Sequence, residues 1–143
     1  MALKKGSEAE LKIDSTAFKG KGVGRIDGMA VFVPGTAPGD LARVRITRKK
    51  KKFVEARLLE ILEPSTLRVV PKCSHANVCG GCTWQHLPYP EQTKIKEQHV
   101  RDHIQRIAEL DPSIVQPIIG CDQAFYYRNK MEYSFATRRW LTQ

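Results

Sequence analysis

From Ala9 the chain alternates between apolar and polar positions. Leu11 and Ile13 fall on one side, Lys12 and Asp14 on the other, which is the two-residue period of a half-buried strand. After Phe18 comes a glycine-rich run in which Gly20, Gly22 and Gly24 permit backbone shapes that other residues resist. Arg25-Ile-Asp-Gly28 reads as a hairpin turn into a strand over Ala30–Val33. Pro34-Gly35 and Pro38-Gly39 mark two more turns. Asp40 to Thr47 alternates again, with Leu41, Val44 and Ile46 as apolar markers and a break in phase at Ala42, and Phe53 to Ile61 makes a further strand. Five successive short strands with glycine turns predict a small antiparallel barrel, OB-like or SH3-like, over residues 9–63, preceded by a tail at 1–8. The glycine run imitates a dinucleotide-binding fingerprint, but no helix-forming segment follows it. A nucleotide-binding Rossmann reading is therefore rejected, and the run is expected to be a mobile loop able to approach another backbone closely.

The pattern changes after residue 63. Pro64 and Pro71 frame a connector that leads into a cysteine-containing segment, together 64–90. Pro90-Glu91 suits the opening of a helix, which runs to about Leu110 before Asp111-Pro112 stops it. Ile95, His99 or Val100, His103 or Ile104, and Ile107 trace its inner face. Lys94, Lys96, Arg101 and Arg106 lie mostly elsewhere and are placed to touch phosphate. His99 and His103 are four apart; no third ligand accompanies them, so histidines at the core edge are favoured over a metal pair. Val115 to Ile119 is a short apolar stretch. Met131 to Phe135 alternates like a strand, with Tyr133 and Phe135 on the side of Met131.

Charge adds a partner class. The 143 residues carry 24 Lys+Arg against 15 Asp+Glu, a formal net charge of +9, which favours polyanions, nucleic acid first. The surplus clusters: between Arg43 and Arg57 the only acidic residue is Glu55. Arg43, Arg45, Arg48, Lys49, Lys50, Lys51 and Lys52, with Lys21 in the glycine run, are the candidate phosphate contacts. The competing reading is a solvated hairpin tip. Phe125-Tyr126-Tyr127-Arg128-Asn129-Lys130 interleaves aromatics with cations, the mixture that stacks on unpaired bases while holding phosphates, so Arg128 and Lys130 join the list. Phe18 or Phe32 is either a stacking aromatic or part of the core. No run of 18 apolar residues exists, and the N-terminus is basic without an apolar h-region, so neither a membrane span nor a secretory signal is expected. The cytoplasm, where thiols stay reduced, is the expected home.

Cys73-Ser-His-Ala-Asn-Val-Cys79-Gly-Gly-Cys82 is the strongest chemical signal. The spacing C-x5-C-x2-C is that of metal or cluster ligands. Zinc with Cys73, Cys79, Cys82 and either His75 or His86 is one occupant; an iron–sulfur cluster, which ordinarily takes four cysteinates, is the other. Cys121 is far along the chain, and nothing local marks it as a ligand. Trp84 either packs over the site or stacks on a base. No paired acid and base and no nucleophile–base pair is visible, so no residue is assigned a catalytic role.

Together these motifs carry a specific resemblance. Gly20-Lys-Gly-Val-Gly24, Val31-Phe-Val-Pro-Gly35, Pro38-Gly-Asp40, the block Pro71-Lys-Cys73…Cys79-Gly-Gly-Cys82…Gln85-His86 and Tyr127-Arg128-Asn129-Lys130 resemble the N-terminal part of the RNA (uracil-5-)-methyltransferase family, of the 23S rRNA type with a TRAM domain and a four-iron–four-sulfur cluster. The resemblance implies an OB-like RNA-binding barrel, cluster ligation by Cys73, Cys79 and Cys82, and a fourth ligand beyond Gln143. It makes residues 91–143 a helix and the start of an α+β central domain cut short, in a chain that is mainly β. It also implies S-adenosylmethionine for the full-length parent only, an inactive fragment here, and RNA as partner, ribosomal rather than transfer RNA, bound by a monomer. The alternative is a free-standing RNA-binding module with a structural zinc site and no activity; a redox protein is a more distant third.

Overall fold

In the computed structural model, residues 3–76, 79–130, 132 and 135–138 are described. The strands are β1 (Glu8–Lys12), β2 (Ser15–Thr16), β3 (Gly22–Ile26), β4 (Met29–Val33), β5 (Leu41–Lys49) and β6 (Phe53–Glu63), followed by α1 (Tyr89–Arg106) and a 3-10 turn at Pro112–Ile114. They form one sheet in the order β1-β5-β6-β4-β3-β2. Its two ends meet, because β1 and β2 are halves of one bent stretch: β1 pairs with β5 and β2 with β3. At the bend, Asp14 N donates to Val23 O at 2.8 Å and Ile13 N to Asp40 O at 2.9 Å. The result is a small closed barrel, as the strand pattern predicts.

Closure depends on glycine. A Cβ on Gly24 would collide with the carbonyl oxygen of Lys12 and the side chain of Leu11, and one on Gly22 would collide with Thr36. The first part of the glycine run, through Gly20, is a turn, as expected from its composition, while Gly22 and Gly24 belong to strand β3 laid against the bend. The expected close backbone approach is what it provides. The hairpin between β3 and β4 turns at Asp27 and Gly28, with φ of 50° and 78°, the left-handed pair that matches strand twist.

One pairing departs from the all-antiparallel expectation. β4 runs parallel to β6 through Ala30↔Phe53, Val31↔Val54 and Phe32↔Glu55. Parallel neighbours need a crossover, and here the turns at 34–40 and strand β5 supply it. Non-local pairings of this sort leave no mark on local periodicity.

The barrel interior holds Leu11, Ile13, Val31, Val33, Ala42, Val44, Ile46, Val54 and Ala56, with Leu3 closing one end. Ala42, Val44 and Ile46 share the inner face, while Leu41 is only half-buried. The apparent break at Ala42 thus lay in Leu41, displaced where a register irregularity separates it from Ala42. The N-terminal residues join the barrel as well, Gly6 N donating to Ile46 O at 2.8 Å and Ile46 N to Ser7 O at 2.9 Å.

Helix α1 begins at Tyr89 and stops at Arg106, short of Leu110; shortly beyond it Glu109 takes a φ of 56°, outside helical space. None of its residues is fully buried. His99 and Ile104 are half-buried, whereas Val100, His103 and Ile107 are exposed, which settles the alternatives for the inner face. The helix meets the barrel where the His99 ring nitrogen Nε2 lies 2.7 Å from Thr16 O and where the Phe18 ring packs edge-on, 5.4 Å from the His103 ring. The strand expected over Met131–Phe135 falls largely outside the described residues, as do Arg139 and Trp140.

Replacing Gly24 by alanine should cost about 2–3 kcal/mol, since a backbone atom blocks the new methyl and the bend must open. Urea denaturation followed by circular dichroism reads this as a lowered midpoint; an unchanged midpoint would mean that the bend is not what closes the barrel.

Candidate nucleic-acid interface and cysteine loop

A buried ion pair fastens the connector after β6 to the barrel. Asp40 is fully buried at the end of the 34–40 turns. Its carboxylate accepts from Ala37 N at 2.6 Å and Ser65 N at 2.9 Å, and from Arg68 Nε at 2.8 Å and Nη2 at 2.7 Å. Arg68 Nη2 also donates to Gly35 O at 2.9 Å. Burial by itself raises the Asp40 pKa. The Arg68 hydrogen bonds, the two amide donors and the Arg68 charge outweigh it, and the carboxyl is held below its ordinary value.

The connector then lays the cysteine segment onto the same turns. Val69 N donates to His86 O at 3.0 Å, and the buried His86 places Nε2 3.4 Å from Thr36 O. Burial first, and then the nearby Arg68 charge, lower the His86 pKa. Trp84 Nε1 donates to Gly20 O at 3.3 Å, and Gln92 Nε2 donates to both Trp84 O at 3.0 Å and Leu87 O at 2.9 Å. Trp84 is thus packed against the barrel loop rather than presented to a base. His86 has one ring nitrogen, Nε2, on a barrel carbonyl and its side chain is buried.

Cys73, Cys79 and Cys82 are all exposed and free. Among the described residues, no three Cys, His, Asp or Glu side chains are gathered closely enough to hold a metal ion. Two of the three cysteines are nonetheless linked. Gln85 accepts from Cys73 N at 3.1 Å through Oε1 and donates to Cys82 Sγ at 3.1 Å through Nε2. The loop folds on itself through Cys79 N to His75 O at 3.0 Å and turns at Gly80 with a φ of 72°. Cys121 stands apart, its Sγ donating to Gln123 O at 3.2 Å and its N–H to the Tyr89 hydroxyl at 2.7 Å.

The basic candidates divide into two sets. Lys21 pairs with Glu55 at 2.9 Å, Arg43 with Glu60 at 3.1 Å and Glu10 at 3.7 Å, and Arg45 with Glu8 at 2.6 Å. Arg48, Lys49, Lys50, Lys51 and Lys52 surround the β5–β6 tip, are exposed, and have no ion pair among the described residues. The cations of α1 expected near phosphate are mostly engaged along the helix: Lys94 with Glu91, Arg101 with Glu97, Arg106 with Asp102. Arg101 also donates to Pro112 O and Val115 O, holding the next segment back against α1. Arg128 and Lys130 are exposed, and Lys130 lies 3.4 Å from Glu132. Part of the aromatic–cation mixture is satisfied within the chain, with the Lys72 ammonium 4.5 Å from the Tyr126 ring centre and 4.9 Å from that of Phe125. The sequence reading gave no role to Asp40, Arg68 or Gln85, although Asp40 and Gln85 lie in motifs that carry the resemblance.

Residues 2–59 match the TRAM domain, and the barrel just described is that domain. Over 131 residues the chain is 44% identical to an uncharacterized RNA methyltransferase of Porphyromonas gingivalis, covering 92% of this chain and 28% of the relative. It is 44% identical over 133 residues to one from Thermosynechococcus vestitus, covering 93% of this chain and 30% of that protein. With the 23S rRNA (uracil(1939)-C(5))-methyltransferase RlmD of Legionella pneumophila it shares 40% identity over 124 residues, 86% of this chain and 28% of the relative. The chain thus carries a TRAM domain and is similar to part of these RNA methyltransferases, spanning under a third of their length. No described helix is long and apolar enough to cross a membrane.

His86 makes the docked segment sensitive to acid. Its folded pKa is below the ordinary value, so its neutral form contributes stability that is complete above about pH 6.5 and is lost as pH falls toward the folded pKa. The urea midpoint should drop between pH 7.5 and 5.5, and His86→Gln, which keeps a donor for Thr36 O but cannot titrate, should flatten the drop. An equal drop in both proteins would remove His86 as the cause.

Proposed function

We propose that this chain is the RNA-holding part of an S-adenosylmethionine-dependent RNA (uracil-5-)-methyltransferase that acts on 23S rRNA. The observation that carries the reading is the unpaired cationic tip at Arg48–Lys52. Five like charges on one hairpin repel one another, and the barrel neutralises its other candidate cations with carboxylates while leaving these open. A phosphate backbone relieves that repulsion and releases counterions. Arg128 is a second contact in the downstream segment. The activity of the Legionella pneumophila relative RlmD supports uracil C5 and 23S rRNA as the target.

In this reading the barrel at 9–63 grips RNA, the segment 64–90 binds the cluster, and 91–143 begins a central domain. In this reading the chain alone transfers no methyl group, since its sequence shows no acid–base or nucleophile–base pair, and the S-adenosylmethionine site belongs to the rest of the protein. Cys73, Cys79 and Cys82 are the residues that would hold a four-iron–four-sulfur cluster, with a fourth ligand from outside the described residues. The donor set fits: three exposed thiols, Gln85 already joining Cys73 to Cys82, and a turn at Gly80 that leaves the backbone free to wrap. When bound, the cluster cross-links the loop.

Changing Lys49, Lys50, Lys51 and Lys52 together to Gln should weaken binding to single-stranded RNA and make the slope of log K against log salt shallower by about 2–3, from roughly 0.7 per lost phosphate contact. A filter-binding series over salt measures this, and an unaltered slope counts against the tip. In the whole protein, anaerobic reconstitution should give iron and sulfide together, reduced by Gln85→Leu and abolished by serine at Cys73, Cys79 or Cys82. Stoichiometric zinc with no iron uptake would contradict the cluster.

A further inference from the structure

A groove of about 780 Å³ opens between one face of the barrel and the cysteine loop. We propose that it holds one unpaired base of the bound RNA; this deepens the RNA-binding reading and rests on it.

The groove has three kinds of wall. Its apolar part comes from Phe32, Pro34, Leu58 and Ile61. Phe32 is half-buried and braced by Phe53, ring centres 5.6 Å apart at 89°, so its orientation is fixed before anything binds. Preset aromatic faces of this sort are what bases stack on. The polar part is Glu55, whose Oε1 accepts from Lys21 Nζ at 2.9 Å. Its second oxygen has no partner among the described residues and is an acceptor for a base N–H. The pairing with Lys21 cancels the charge that would otherwise repel a nucleotide. The third part is cationic: Arg57, exposed, also lines the groove and suits the phosphate of the same nucleotide. Across from these, Gly80, Cys82 and Thr83 of the cysteine loop form the opposite side.

Position argues for RNA over a free metabolite. Glu55 is the cross-strand partner of Arg48, the first residue of the cationic tip. Thr47, one residue before it, lines the groove and donates to Glu55 O at 2.9 Å. A strand whose phosphates lie along Arg48–Lys52 therefore arrives at the groove mouth within one rung of the hairpin. The volume is within the roughly 300–1,000 Å³ of small-ligand sites, enough for one nucleotide. It also gives the barrel and the cysteine loop a shared ligand, so that the two recognise the same stretch of RNA.

The test uses the full chain and single-stranded RNAs of about twelve nucleotides, within the range an OB-like barrel covers. One RNA is intact, one has its central bases replaced by abasic sugars, and one carries 4-thiouridine in the centre. The abasic RNA should bind about tenfold more weakly than the intact one. Phe32→Leu should lose a similar factor on intact RNA and almost nothing on abasic RNA, because both changes remove the same contact. Photocrosslinks should map to Phe32 or Thr83. Equal binding of intact and abasic RNA, or crosslinks confined to residues 48–52, overturns the groove while leaving the RNA reading standing. No RNA binding at all overturns both. If Phe32→Leu fails to fold by circular dichroism, the abasic comparison and the crosslink position in the unaltered chain decide.

Discussion

The buried pair of Asp40 and Arg68 is the contact on which the arrangement depends. A carboxylate taken fully out of water is costly unless its oxygens are satisfied, and here two amide N–H groups and two guanidinium nitrogens satisfy them. Those donors come from both sides of the barrel's exit: Ala37 from the crossover turns, Ser65 and Arg68 from the connector. One side chain thus fixes where the crossover ends and where the next segment begins. Removing Arg68 would strand Asp40 as an uncompensated buried charge, a loss of about 3–5 kcal/mol in comparable sites.

From that anchor the functional surfaces are built up in chain order. Arg68 sets Val69 against His86, His86 sits on Thr36, and Trp84 reaches the carbonyl of Gly20. The cysteine loop is hence held beside the barrel face and not left trailing from it. Gln85, between the anchored Trp84 and His86, turns its amide to Cys73 and Cys82. The barrel places the loop, and the loop in turn makes the second wall of the groove. Charge is apportioned in the same way: carboxylates quench Arg43 and Arg45 on β5, whereas the run Arg48–Lys52 at one tip has no ion pair among the described residues.

Much of the barrel was legible from the sequence, because Leu11, Ile13, Val44 and Ile46 keep a strict alternation and Gly28, Gly35 and Gly39 take positive φ at the turns that punctuation marks. The parallel β4–β6 pairing was not, since it joins segments through a crossover that no local period records. Leu41 misled because hydrophobicity outweighed phase. The burial of Asp40 and His86 was not legible, because it depends on partners 28 and 50 residues away. The cysteines were legible as a ligand set by spacing alone, whereas the bond that ties two of them together required knowing which way Gln85 points.

The central claim is that RNA meets this chain at the β5–β6 tip and the face beside it. Backbone amide shifts of isotopically labelled protein, followed by nuclear magnetic resonance as single-stranded RNA is added, test that claim residue by residue. The account predicts that the changes concentrate at 47–57 and 80–83 and leave the ion-paired strand Glu8–Lys12 nearly still. Changes centred on Glu8–Lys12, Arg43 and Arg45, with the tip unmoved, would contradict it.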